Sequence, residues 1–155
     1  MRGTASPDAR RALLEAIGNL AGVAGYAAFD AGDHASAERR FQFAYSCATA
    51  AGSWELRAST LADMARKVAY AGNPDPALSL IELAQVRADR ISATARAMLS
   101  ALRAQYLALL GRVDDALIEV GRADDHFADR DPARRTRPGC ASTTRPNTSA
   151  APAKP

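Results

Sequence analysis

Apolar residues recur along this chain three and four places apart, in six blocks separated by short polar turns, which is the spacing of amphipathic helices. The first block follows Ser6-Pro7-Asp8, where Pro suits a first helical turn and Asp complements the dipole, and runs to about Phe29. Asp33 is expected to cap a second helix with Ala37, Phe41, Ala44 and Ala48 on one face. Ala51-Gly52-Ser53 closes it. Ser53 then caps a third helix, whose apolar side is Leu56, Leu61, Met64, Ala65 and Val68. Asn73-Pro74 opens a fourth, with Leu80, Ile81, Ala84 and Ala88 as its stripe. The fifth is predicted from about Thr94 to Leu110, carrying Met98, Leu102, Leu107 and Leu110. The sixth runs from Val113 to about Ala128, with Leu117, Val120, Ala123 and Phe127.

Three of the turns are alike. Gly32…Ala37, Gly72…Ala77 and Gly111…Ala116 recur at offsets of 40 and 39. Each alanine opens a triplet at the same spacing: Ala37-Phe41-Ala44, Ala77-Ile81-Ala84 and Ala116-Val120-Ala123. Twelve places before the alanines stand Gly25, Ala65 and Ala104, small residues that let a partner helix approach closely. Self-similarity of this period predicts an all-α solenoid of three antiparallel helix pairs over residues 1–130.

This set resembles the tetratricopeptide repeat: a small residue in the first helix, Gly at the turn, then Ala, a large apolar residue and Ala in the second. The match runs from Leu13 to Ala128. It is better in the second helices than in the first, where the family's Trp and Tyr positions hold Ala21, Leu61, Ser100, Ala28, Val68 and Leu107. A narrower resemblance is to the C-terminal repeat region of actinobacterial helix-turn-helix (XRE-type) transcriptional regulators. It is carried by Gly52-Ser53-Trp54-Glu55-Leu56-Arg57-Ala58, Leu61-Ala62-Asp63-Met64-Ala65-Arg66 and the segment from Leu80 to Arg90. Those regulators bear a DNA-binding domain ahead of the repeats, which this sequence does not contain.

The resemblance implies a right-handed solenoid whose first helices line a concave groove. The family's groove positions fall here on Asn19, Tyr26 and Asp30, on Ser59, Arg66 and Tyr70, and on Met98, Gln105 and Leu109. Such a mixed set, with amide, guanidinium and phenol groups able to bond peptide backbone, suits an extended peptide or a partner helix. No following repeat covers the outer side of Leu117, Val120, Ala123 and Phe127 in the last helix, so this end is expected to pair with itself, attract the tail or aggregate.

Charge changes the picture at the C-terminal end. Residues 131–155 hold Arg134, Arg135, Arg137, Arg145 and Lys154 against Asp131, and five of the eight prolines. Their only apolar side chains are alanines and Cys140, too little to offset ordering entropy, so a disordered basic tail is expected. A second reading treats it as a frameshift product after about Ala133, since one permitted codon choice spells an acidic, aromatic continuation in another frame. Without the tail the acids outnumber the bases by one, and the repeat domain lacks the electrostatic footprint for direct nucleic-acid binding. Cys47 and Cys140, placed in unlike contexts, suggest reduced thiols rather than a disulfide framework. No charged n-region precedes an apolar h-region, and Leu20 to Phe29 is short for a bilayer, so a cytoplasmic chain without a membrane span is expected.

Candidate chemistry is sparse. There is no Glu-x-x-His pair, Cys-x-x-Cys, phosphate-binding glycine loop or Gly-x-Ser-x-Gly turn. His34 and His126 read as ordinary solvated histidines, Arg39-Arg40 and Arg66-Lys67 as solvated basic pairs, and Trp54 as packing between helices. The chain is therefore expected to be a non-enzymatic interaction module without cofactor or metal, with a peptide or protein partner and a possible homodimer through the last helix. The alternatives are a small-molecule-binding regulatory domain and a truncated remnant without independent function.

Overall fold

A computed structural model describes residues 6–130, and these are all-helical. Six α-helices follow in order: α1 (Pro7–Asp30), α2 (His34–Ala51), α3 (Trp54–Tyr70), α4 (Pro74–Gln85), α5 (Ala93–Leu109) and α6 (Val113–Asp129). A 3-10 turn, Ala88–Arg90, lies between α4 and α5, and no strand occurs among the described residues. The expected disordered tail, its frameshift reading and Cys140 lie outside the described residues.

Local chemistry explains most boundaries. Ser6, Asp33, Ser53 and Ser92 each accept a bond from a backbone N–H three residues on, at 2.9–3.4 Å, satisfying donors that the first helical turn leaves free. Asn73 stands at the α4 cap without such a bond; its Nδ2 donates to the Ala71 carbonyl instead. Gly72 turns the chain from α3 to α4 at φ 85°, a left-handed conformation that a side chain resists, and Gly32 and Gly111 repeat it.

The fourth helix is shorter than its apolar stripe suggested. Ala88 was expected on that stripe, but α4 ends at Gln85 and Arg87 takes the left-handed conformation at φ 64°. Tertiary bonds override the periodicity here. Arg96 Nη1 donates to the Ile91 carbonyl, Glu55 accepts from both the Ser92 N–H and hydroxyl at 2.8 and 2.6 Å, and Ile91 is buried.

Each helix packs most extensively within the pairs α1/α2, α3/α4 and α5/α6, with smaller contacts joining α2 to α3 and α4 to α5. Along the near side α1 also touches α3, and α3 touches α5. The main core joins Leu61, Ala65, Ala77, Leu78, Ile81, Leu99, Leu102, Tyr106 and Leu107. A smaller one holds Ala28, Ala37 and Phe41. The signature alanines Ala37, Ala77 and Ala116 are all buried, as are Gly25, Ala65 and Ala104. At Gly25 the approach is tight: a Cβ there would lie 2.7 Å from the Phe41 ring.

Among the described residues, α1 alone is long and apolar enough to cross a membrane. The stretch from Leu20 to Phe29 thus belongs to a 24-residue helix, not to a short apolar run. Its inner side is nevertheless committed to protein contacts, with Gly18, Gly25 and Ala28 buried.

Candidate functional site

The side where α1, α3 and α5 adjoin carries the expected groove residues, and two turns of α3 organise it. Tyr26 of α1 donates its hydroxyl hydrogen to Asp63 Oδ1 at 3.0 Å. Arg66, one turn beyond Asp63, sends Nη1 to the same oxygen and to the Tyr26 hydroxyl, both at 3.1 Å. The three groups form a closed triangle linking two helices. The Tyr26 ring is fixed from behind by an edge contact with Phe41, ring centres 5.6 Å apart.

Burial dominates the electrostatics of this triangle. It pushes the Tyr26 phenol above its usual 10.0 and the Asp63 carboxyl above its usual 3.8, although Tyr26 and Arg66 both favour the ionised carboxylate. Burial also opposes the Arg66 charge, yet its bonds to Tyr26 and the nearby Asp63 carboxylate hold its pKa above the ordinary value.

Beside the triangle lies a depression of about 310 Å³ between α3 and α5, bounded by Arg66, Tyr70, Leu102, Gln105, Tyr106 and Leu109. Tyr106 is buried and its phenol is pushed upward by desolvation, while Arg66 nearby lowers it. Tyr70 stands out from the surface, its ring in an edge-to-face contact with Phe29, centres 5.2 Å apart. Arg66 makes both of its triangle bonds through one nitrogen and also borders the depression.

Of the expected groove residues, Tyr26, Arg66, Tyr70, Gln105 and Leu109 are thus brought together. The others are not. Asn19 is exposed and donates to the Glu15 carbonyl in its own helix. Ser59 bonds the Leu56 carbonyl, Met98 packs on the main core, and Asp30 is exposed at the end of α1. Asp63 and Tyr106 are the residues that sequence reasoning missed. A partial signal existed for Asp63, because a carboxylate three residues before Arg66 shares its helix face.

The remaining candidates have structural employment. Trp54 is half-buried against the core, with the guanidinium of Arg57 at 5.1 Å and that of Arg87 at 5.8 Å from its ring centre. His34 rests against Phe29 at the first turn. Lys67 pairs with Glu38, and Arg40 donates to the Ala24 carbonyl at 2.7 Å. His126 borders a second depression of about 220 Å³ with Arg96, Arg103 and Arg122. There the buried Glu119 accepts from Arg103 at 2.9 Å and from Arg122, while Arg103 also reaches Glu82 at 3.3 Å. No group of three or more metal-ligating side chains occurs among the described residues.

No protein-family model, curated protein or solved structure matches the chain.

Proposed function

We propose that residues 1–130 form a right-handed, tetratricopeptide-like solenoid of three antiparallel helix pairs that serves as a non-enzymatic interaction module. In this reading it is the sensor or oligomerisation region of a transcriptional-regulator-like protein, working in the cytoplasm. An extended peptide or partner helix lies along α1, α3 and α5. The observation that carries this is the Tyr26–Asp63–Arg66 triangle beside a depression edged by Tyr70, Gln105 and Leu109. A rigid arginine, an exposed phenol and a side-chain amide offer bonds to backbone carbonyls, while Leu102 and Leu109 take apolar side chains.

The test is selection of peptides from a random displayed library on the full chain, followed by anisotropy measurements. Arg66→Ala and Tyr70→Ala should each weaken the selected peptides about tenfold, the loss of an anchor worth roughly 1.4 kcal/mol. Peptides that bind both variants as tightly as the parent chain would remove the groove from consideration.

A second reading takes the depression as a small-molecule site. Its volume of about 310 Å³ lies at the lower end of the range such sites occupy, roughly 300–1,000 Å³. Saturable binding of a metabolite, with a thermal shift lost in the same two variants and no peptide selected, would favour it.

A further inference from the structure

Two joints connect the pairs, α2–α3 and α4–α5, and the repeat offsets allow the second to be compared with the two ends of the molecule. In the first the matching places hold Glu38, Phe41, Thr60 and Asp63. Leu78 and Ile81 of α4 and Leu99 and Leu102 of α5 lie in one buried cluster that spans α3 to α6, and α4 adjoins α5. At the matching places α6 has Leu117 and Val120, and α1 has Leu20 and Val23. Leu78 is 5% exposed and its counterpart Leu117 is 65% exposed. Leu99 is 0% exposed and its counterpart Leu20 is 69% exposed. Val113 and Phe127 extend the open face of α6, and Leu13 and Ile17 that of α1. One end of the chain therefore repeats the α4 half of the joint, and the other end repeats the α5 half.

We infer that α1 of a second copy docks on α6, rebuilding the α4–α5 joint between chains, so that copies stack head to tail. This rests on the solenoid reading above. Charge favours it over a pairing of two α6 helices. On α6 Glu119 is buried against Arg103 and Arg122 and Asp115 pairs with Arg112, while Asp114, Asp124 and Asp125 are exposed, so two such surfaces repel. Asp124 lies within the apolar stripe of α6 itself, between Val120 and Phe127. By the same offset Arg10 and Arg11 match Asp89 and Arg90 of the 3-10 turn that follows the end of α4, so in the docked copy they come to the end of α6, where Asp124 and Asp125 stand. The segment 131–155 matches the same acids with five cations, but it has only alanines, prolines and Cys140 to set against Leu117, Val120 and Phe127. A contact of this kind is heterologous and does not close on itself, so assembly grows with concentration.

Two variants of the full chain test it, each at an exposed position. Leu20→Glu blocks the α1 face and Leu117→Glu blocks the α6 face; circular dichroism and peptide selection check that each keeps its fold and groove. In sedimentation the parent chain should grow past a dimer as concentration rises, and each variant alone should stay monomeric. An equimolar mixture of the two should give a one-to-one dimer and stop there, because one open α6 meets one open α1. Association of the parent chain should also fall about tenfold in Arg10→Glu/Arg11→Glu. A parent chain that stays monomeric at its solubility limit overturns the inference. So does a Leu20→Glu variant that dimerises alone, which would mean α6 pairs with itself. Flotation of the parent chain with phosphatidylcholine vesicles, abolished by Leu20→Glu, would assign the α1 face to a lipid surface and overturn it too. If stacking fails while peptides still select on the groove, the interaction module stands without it.

Discussion

Phe41 is fully buried and held edge-on by Tyr26, so it cannot withdraw from a larger neighbour. A methyl group at position 25 would sit 2.7 Å from its ring, well inside the ~3.5–4.0 Å of an unstrained carbon contact. Gly25→Ala gains up to ~1 kcal/mol of helix propensity but meets an overpacking cost of ~1–3 kcal/mol, so a net loss of about 1 kcal/mol is expected in urea denaturation. Gly22→Ala is the control. Its nearest neighbour would be Asp63 Oδ2 at 4.0 Å, and it should gain about 0.5–1 kcal/mol. Equal stability of the two variants would show that Phe41 yields. The tight approach at Gly25 was legible in the sequence from its place in the period. The triangle was not: the spacing marked Tyr26 and Arg66 as equivalent positions on successive first helices, but whether side chains 40 residues apart meet is decided by how the helices are offset. Asp63 carries the pH prediction. Its folded-state pKa is raised by burial, so the folded chain holds this proton where the unfolded chain has lost it. Its contribution to stability therefore falls as pH rises from the ordinary carboxylate value through the raised one. Relative to Asp63→Asn, the parent chain should gain stability on acidification across that window. A pH-independent difference between the two, measured by denaturation, would contradict the shift.

At the scale of the element, capping and turn chemistry decided most boundaries, and these were readable because the signals are local. Ser53 and Asp33 cap where the apolar periodicity restarts, and Gly72 breaks the chain where it stops. The end of α4 was not readable. Leu80 to Ala88 keeps helical spacing, and only the distant grip of Glu55 on Ser92, 37 residues apart, reveals why the chain turns out at Arg87. Helices also differ in how firmly they are held. α6 buries only Ala116 and Glu119, and the latter is a carboxylate clasped by arginines. α5 buries seven residues and α3 six. Native-state hydrogen exchange should therefore find the amides of α6 opening first and those of α3 and α5 last. Protection of α6 equal to that of α5 in dilute protein would mean that something covers its outer face even there.

For the whole molecule, the all-helical class and the order of the six helices were legible, since each block carries its own periodicity and its own turn. What lies against the two ends was not legible. A stripe such as Leu13, Ile17, Leu20 and Val23 has the same spacing whether it meets a core, a bilayer or another chain. The start of α3 carries a feature with practical value. Trp54, the chain's one tryptophan, stands between Arg57 at the start of α3 and Arg87 in the bent connection that follows α4. A single indole flanked by two cations gives this protein an internal gauge. Excited beyond the tyrosine absorption, its emission follows how the start of α3 is held against the connection that leaves α4, so loosening there can be watched without attaching a dye.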